Sequence, residues 1–110
     1  MLIVRDTRFF EEDFIDTESN IKIGKDTKLE PNSIIYNNCS IGKSCIMGAG
    51  AILRPDTQID DHSIFGPLSI TEPGVRIGSW TTIHAQCHIT ADATIGDCVF
   101  ITPFFIVANT

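Results

Sequence analysis

From Ile23 to Val107 the sequence returns to an aliphatic-like position every six residues, without a single insertion. The column runs Ile23, Leu29, Ile35, Ile41, Met47, Leu53, Ile59, Phe65, Thr71, Ile77, Ile83, Ile89, Ile95, Ile101 and Val107, with Thr71 its one polar member. Two residues earlier stands a second, mostly small column: Thr27, Ser33, Cys39, Cys45, Ala51, Thr57, Ser63, Ser69, Val75, Thr81, Cys87, Ala93, Val99 and Phe105. Residues two apart on a strand point the same way, so both columns face inward together. A helix repeats every 3.6 residues and cannot hold this register over so long a run. Short strands separated by corners remain, and such strands must coil. Gly24, Gly42, Gly78 and Gly96 each follow an inward Ile, where a corner is expected to favour glycine.

At 110 residues the chain has the size of one domain, so a site lies on that body or between copies of it. A formal charge of −6 with no Lys or Arg cluster offers no surface for phosphates, which argues against nucleic acid and anionic membrane as partners. The longest apolar stretch, Val99 to Ala108, is broken by Thr102 and Pro103 and is too short to cross a bilayer. Arg5 and Asp6 follow the opening Met-Leu-Ile-Val at once, unlike a signal peptide, so a cytoplasmic location is expected.

The pattern of aliphatic, then Gly or acidic, then two variable residues, then small, resembles that of the hexapeptide-repeat acyltransferases. Among them the feel is closest to sugar and nucleotide-sugar acetyltransferases. The resemblance covers residues 21–110. It implies an all-β, left-handed parallel β-helix of about five triangular coils; the left hand comes from the resemblance, since parallel crossovers otherwise favour the right. Residues 1–20 lie outside the repeat and are expected to form a short cap on the first coil, their mix of Phe9, Phe10, Phe14 and Ile15 with acidic residues leaving strand or helix open. The sequence closes on Ala108-Asn109-Thr110 in mid-turn, which points to a piece of a longer enzyme or to a last coil packed on a partner.

In that family three hexads make one coil, so positions 18 apart share a face. The first face shows Lys22, Ser40, Gln58, Arg76 and Thr94 and is expected to be wet. The second shows Lys28, Ile46, Ile64, Thr82 and Phe100, and the third Ile34, Ile52, Ile70, His88 and Ile106. Stacked outward isoleucines make an apolar patch larger than a monomer normally exposes. A ring in which face two of one copy meets face three of the next covers both, and a homotrimer is the family's usual assembly. The N-terminal segment is the alternative cover.

Acyl transfer from a thioester needs a base for the nucleophile's proton and a donor for the oxyanion. Three histidines are candidates. His88 interrupts the apolar third face, where family active sites lie between subunits; an interface histidine without chemistry is the competing view. His84 ends a strand of the second face and otherwise reads as a solvated corner residue, as does His62 beside Asp60 and Asp61. The segment Val99 to Asn109 resembles the stretch of nucleotide-sugar N-acetyltransferases that ends in an active-site Asn. That likeness casts Asn109 as holding the sugar amine or thioester carbonyl, although Thr102 stands where those enzymes usually have Gly. Trp80, as a surface for adenine, and Thr102 are the positions expected along acetyl-CoA. Cys39, Cys45 and Cys87 read as buried space-fillers and Cys98 as a corner residue; no pair has metal-ligand spacing, and no metal is expected.

Two other functions compete with acetyl transfer to an amine or hydroxyl of a sugar-like small molecule. One is a non-catalytic β-helix scaffold or a truncated acetyltransferase fragment, favoured by the absence of any loop inserted between coils. The other is a γ-type carbonic anhydrase, which binds zinc with three histidines. His84 and His88 stand four apart rather than at that family's five, and Gly48 lies near the place of the third ligand.

Overall fold

The computed structural model describes residues 1–108. They form a left-handed parallel β-helix of about five coils, all β among the described residues. Each hexad contributes a short strand, and strands 18 residues apart pair in parallel: Gln58 with Ser40 and Arg76, Ile46 with Ile64, Ile52 with Ile70. The first sheet stacks Ile21–Ile23, Ser40–Ile41, Gln58–Ile59, Arg76–Ile77 and Thr94–Ile95. The second stacks Lys28–Leu29, Ile46–Met47, Ile64–Phe65, Thr82–Ile83 and Phe100–Ile101, and the third Ile34–Ile35, Ile52–Leu53, Ile70–Thr71, His88–Ile89 and Ile106–Val107.

The aliphatic column is the core. Each member from Ile23 to Ile95 is buried, and Ile101 and Val107 are half-buried against it. An Ile fully removed from water contributes about 1.5–3 kcal/mol, so a ladder of them outweighs the modest area of any one coil. The small column is buried from Thr27 to Cys87 and its polar atoms are occupied; at the last coil Ala93 and Val99 are half-buried and Phe105, expected inward, is half exposed because no further coil covers it among the described residues. Thr27 Oγ1 donates to the Gly42 carbonyl at 2.7 Å and accepts the Cys45 amide at 3.0 Å, one coil on. Ser63 and Ser69 repeat this with Gly78 and Thr81, and with His84 and Cys87. Cys39, Cys45 and Cys87 fill the same slot, their thiols donating to the Arg54, Asp60 and Thr102 carbonyls at 3.2, 3.1 and 3.2 Å. Thr71, the one polar member of the aliphatic column, shares a 2.9 Å hydrogen bond with Thr57 and accepts the Arg54 amide at 3.2 Å.

The corner reading of the glycines needs correction. Left-handed backbone recurs every six residues from Asn20 to Phe104, three places after the inward aliphatic residue, as the third residue of a type II turn requires. Only Gly50 and Gly74 there are glycine; the rest include Asn, Asp, Ser, His, Leu, Gln, Trp and Phe. Gly24, Gly42 and Gly78 answer a different need, the close approach of the next coil. A Cβ on Gly24 would stand 2.5 Å from the Gly42 carbonyl carbon, and one on Gly42 would stand 2.7 Å from the Asp61 amide nitrogen.

The N-terminal segment adopts strands, not a helix. Leu2–Ile3, Arg8–Phe9 and Phe14–Asp16 run antiparallel along the first strand of the third, second and first sheet, so one reversed turn covers all three edges. Val4 and Phe10 are buried beneath it, and the Arg8 guanidinium lies over the Phe10 and Phe14 rings, 4.7 and 4.8 Å from their centroids. No helix among the described residues is long and apolar enough to cross a membrane.

Candidate functional site

The three outer faces differ as their outward residues dictate. The first is polar. On the second, Ile46 and Ile64 are 39% and 40% exposed and Phe100 64%. On the third, Ile34, Ile52 and Ile70 are half-buried and Ile106 is 67% exposed. The reversed N-terminal turn lengthens both apolar faces, pairing Ile3 with Ile34 and Phe9 with Lys28.

His88 stands on the third face between Ile70 and Ile106. Its Nε2 lies 2.7 Å from Glu72 Oε2, both side chains being about half exposed. A carboxylate only accepts, so Nε2 carries the proton and the neutral ring keeps its lone pair on Nδ1. Glu72 is the residue the sequence reading missed. A signal existed: Ile70 is the ladder neighbour of His88, and Glu72, two places further on, is directed to the same side.

His84 holds the opposite tautomer. Its Nδ1 accepts the Ala85 amide at 2.9 Å, so in the neutral ring Nε2 is a donor. The ring lines a shallow, mainly apolar cleft of about 200 Å³ with Ile64, Gly66, Pro67, Thr82 and Ile83, and meets Phe100 edge to face at 6.1 Å. A side chain at Gly66 would run into the His84 carbonyl, so glycine keeps this cleft open. His84 and His88 therefore flank one corner of one coil, an acceptor nitrogen on one side and a donor on the other.

Thr102 follows Ile101 as His84 follows Ile83, and these strands pair, so Thr102 sits one rung above His84 with its side chain exposed. Trp80 lies apart, on the corner before the Thr82–Ile83 strand. It is 63% exposed and stacks on His62, centroids 4.2 Å apart and planes within 13°. Asn109 lies outside the described residues. No group of three or more His, Cys, Asp or Glu side chains fit to hold a metal ion occurs among the described residues, and the four cysteines are free, with only Cys98 exposed.

Comparison with known proteins gives a consistent result. The family model described as the GMPPB C-terminal domain matches residues 11–110. The bifunctional protein GlmU of Latilactobacillus sakei is 34% identical over 92 residues, covering 84% of this chain and 19% of that protein. GlmU of Acinetobacter baylyi is 30% identical over 89 residues, covering 76% and 19%, and that of Limosilactobacillus reuteri 32% over 94 residues, covering 86% and 20%. The chain thus spans about a fifth of the length of these curated relatives. No solved structure matches. With its six-residue register, its three parallel sheets and a family match over nearly its whole length, the chain belongs to the GMPPB C-terminal domain family, within the hexapeptide-repeat acyltransferase superfamily.

Proposed function

We propose that the protein transfers an acetyl group from acetyl-CoA to an amine or hydroxyl of a sugar-like acceptor, at a site completed by a second copy in a homotrimer. The observation that carries this is the His88–Glu72 pair, a histidine held in one tautomer by a carboxylate at 2.7 Å on an otherwise apolar face. His88 Nδ1 takes the proton of the acceptor as its nitrogen or oxygen attacks the thioester carbonyl. His84 Nε2–H donates to the oxyanion that forms. Collapse of the tetrahedral intermediate expels the coenzyme A thiolate, which recovers the proton from His88. Thr102, one rung from His84, lies beside the thioester, and the ring face of Trp80 that His62 leaves free is offered to the adenine. Ile34, Ile46, Ile52, Ile64, Ile70, Phe100 and Ile106 form the trimer contact. Asn109, expected to hold the amine or carbonyl, belongs to the same proposal.

A second reading is a non-catalytic β-helix, favoured because the matched family is a C-terminal domain and the chain spans a small part of its relatives. Calorimetric titration with acetyl-CoA, light scattering, and coenzyme A release with trial amino sugars separate the two. The enzyme predicts a trimer that binds acetyl-CoA, with His88→Ala lowering turnover by about 10²–10⁴-fold at unchanged trimer content. Glu72→Gln should lower it less and shift its pH profile. A trimer that ignores acetyl-CoA, or turnover indifferent to His88→Ala, makes the chain a scaffold.

A further inference from the structure

The first face, left free by the proposed trimer, carries a groove that none of the chemistry above uses. Its wall is built from outward residues on three successive coils, Gln58, Arg76 and Thr94, about 4.8 Å apart along the stack. Around the corner from them lie Asp60, Gly78, Gly96 and Asp97, and because two of these lack a side chain a hollow of about 270 Å³ opens between the rows. Asp60 stands where the neighbouring coils have Gly42 and Gly78, so one carboxylate projects into an otherwise bare column.

The polar groups are ordered. Arg76 Nη1 donates to Gln58 Oε1 at 2.6 Å, and Gln58 Nε2 donates to Asp60 Oδ1 at 3.1 Å. Asp97 Oδ1 accepts the Ser79 amide at 2.8 Å. Among the described residues this leaves the remaining guanidinium N–H groups of Arg76 and the Thr94 hydroxyl without protein partners, in a lining that also carries the second carboxylate oxygens of Asp60 and Asp97. Donors and acceptors are thus interleaved across a space of small-molecule size. An anion would meet two carboxylates and a cation would meet the guanidinium. A neutral molecule whose hydroxyls both donate and accept satisfies both rows, and a pair of adjacent hydroxyls fits the planar fork of Arg or a carboxylate.

We infer that this groove is a binding subsite for a neutral pyranose, separate from the His84–His88 corner and independent of whether that corner is catalytic. The groove is shallow and encloses little of a ligand's surface, so affinity lies in the millimolar range.

The test is an NMR titration of the full 15N-labelled chain with a panel of neutral methyl pyranosides. Shifts confined to Gln58, Arg76, Gly78, Thr94 and Gly96, saturating at millimolar sugar, are expected. Arg76→Ala should weaken binding by about tenfold or more. Gly96→Leu should abolish it by filling the groove: a Cβ at Gly96 meets nothing within 4 Å, and its φ is not left-handed, so the fold tolerates the change. Unchanged melting of Gly96→Leu confirms that. Absence of saturable shifts, shifts centred on other faces, or binding that survives Gly96→Leu would each overturn the assignment.

Discussion

Replacing Gly42 with alanine tests whether the close approach of coils, rather than corner conformation, demands glycine after the inward Ile. The new Cβ would stand 2.7 Å from the Asp61 amide nitrogen and 2.9 Å from the Asp60 carbonyl carbon, and would collide with Asp61 Oδ1. That oxygen accepts the Lys43 amide at 2.8 Å, so the carboxylate must swing away and leave Lys43 unpaired. Loss of a hydrogen bond to a charged acceptor at an exposed corner costs about 1–1.5 kcal/mol. Pushing a methyl group against backbone that cannot yield costs about 1–3 kcal/mol more. The lower entropy of the unfolded chain returns about 0.4–1 kcal/mol. Gly42→Ala should therefore destabilise by about 1–4 kcal/mol. Gly96→Ala, whose Cβ meets nothing within 4 Å, should be neutral or slightly stabilising. Urea denaturation at constant m-value measures both, and each kcal/mol moves the melting temperature by about 4–8 °C in a domain near this size. Asp61→Ala removes the side-chain collision beforehand, so the Gly42→Ala, Asp61→Ala double variant should lose less than the sum of its parts. Equal effects of Gly42→Ala and Gly96→Ala, or strict additivity with Asp61→Ala, would refute the close-approach account.

Thr71→Val removes both polar contacts of the one hydroxyl in the aliphatic column and leaves the Arg54 amide without a partner, while the Thr57 hydroxyl keeps its 2.8 Å bond to the Arg54 carbonyl; a loss of about 1–3 kcal/mol in urea denaturation is expected. Burial holds the Cys39 and Cys45 thiols above their usual range, so a disulfide reagent should titrate Cys98 alone in the folded protein and the remaining thiols only after unfolding. Because the folded pKa is raised, this contribution to stability is complete below the unfolded thiol value of about 8.5 and is lost as pH rises through the folded one. Melting curves should accordingly fall on the alkaline side.

The inward and outward columns were legible in the sequence because a two-residue strand has one residue for each side, and a strict period of six never lets them exchange. What the sequence hid depends on which residues of neighbouring coils meet. Gly42 is explained by Asp61, and His88 by Glu72, partners in another coil and at another point of the hexad. The corner position was opaque for a related reason. A left-handed residue costs about 1–2 kcal/mol when it is not glycine, yet His62, Leu68, Trp80 and Phe104 all occupy it. The parallel ladders on both sides impose the turn whatever side chain stands there. The N-terminal strands escaped notice because they keep the spacing of six but run backwards, which moves Val4 and Phe10 into the buried phase and Ile3, Phe9 and Ile15 out of it.

A prism of short strands has no loops with which to shield a reacting group, and this bears on how the His88–Glu72 pair could act. About half exposed in the single chain, the pair sits in water that screens its charges and competes for the imidazole. Its flanking residues on the ladder, Ile70 and Ile106, are the means of drying it, but only against a second apolar surface. In the proposed trimer that surface is the Ile46, Ile64 and Phe100 face of the next copy, whose own His84 cleft opens beside it. Assembly and catalysis are then one equilibrium. Acetyl transfer should fall with dilution in step with the trimer, and a charge placed at Ile46, which lies on the same face but does not line the His84 cleft, should abolish both together.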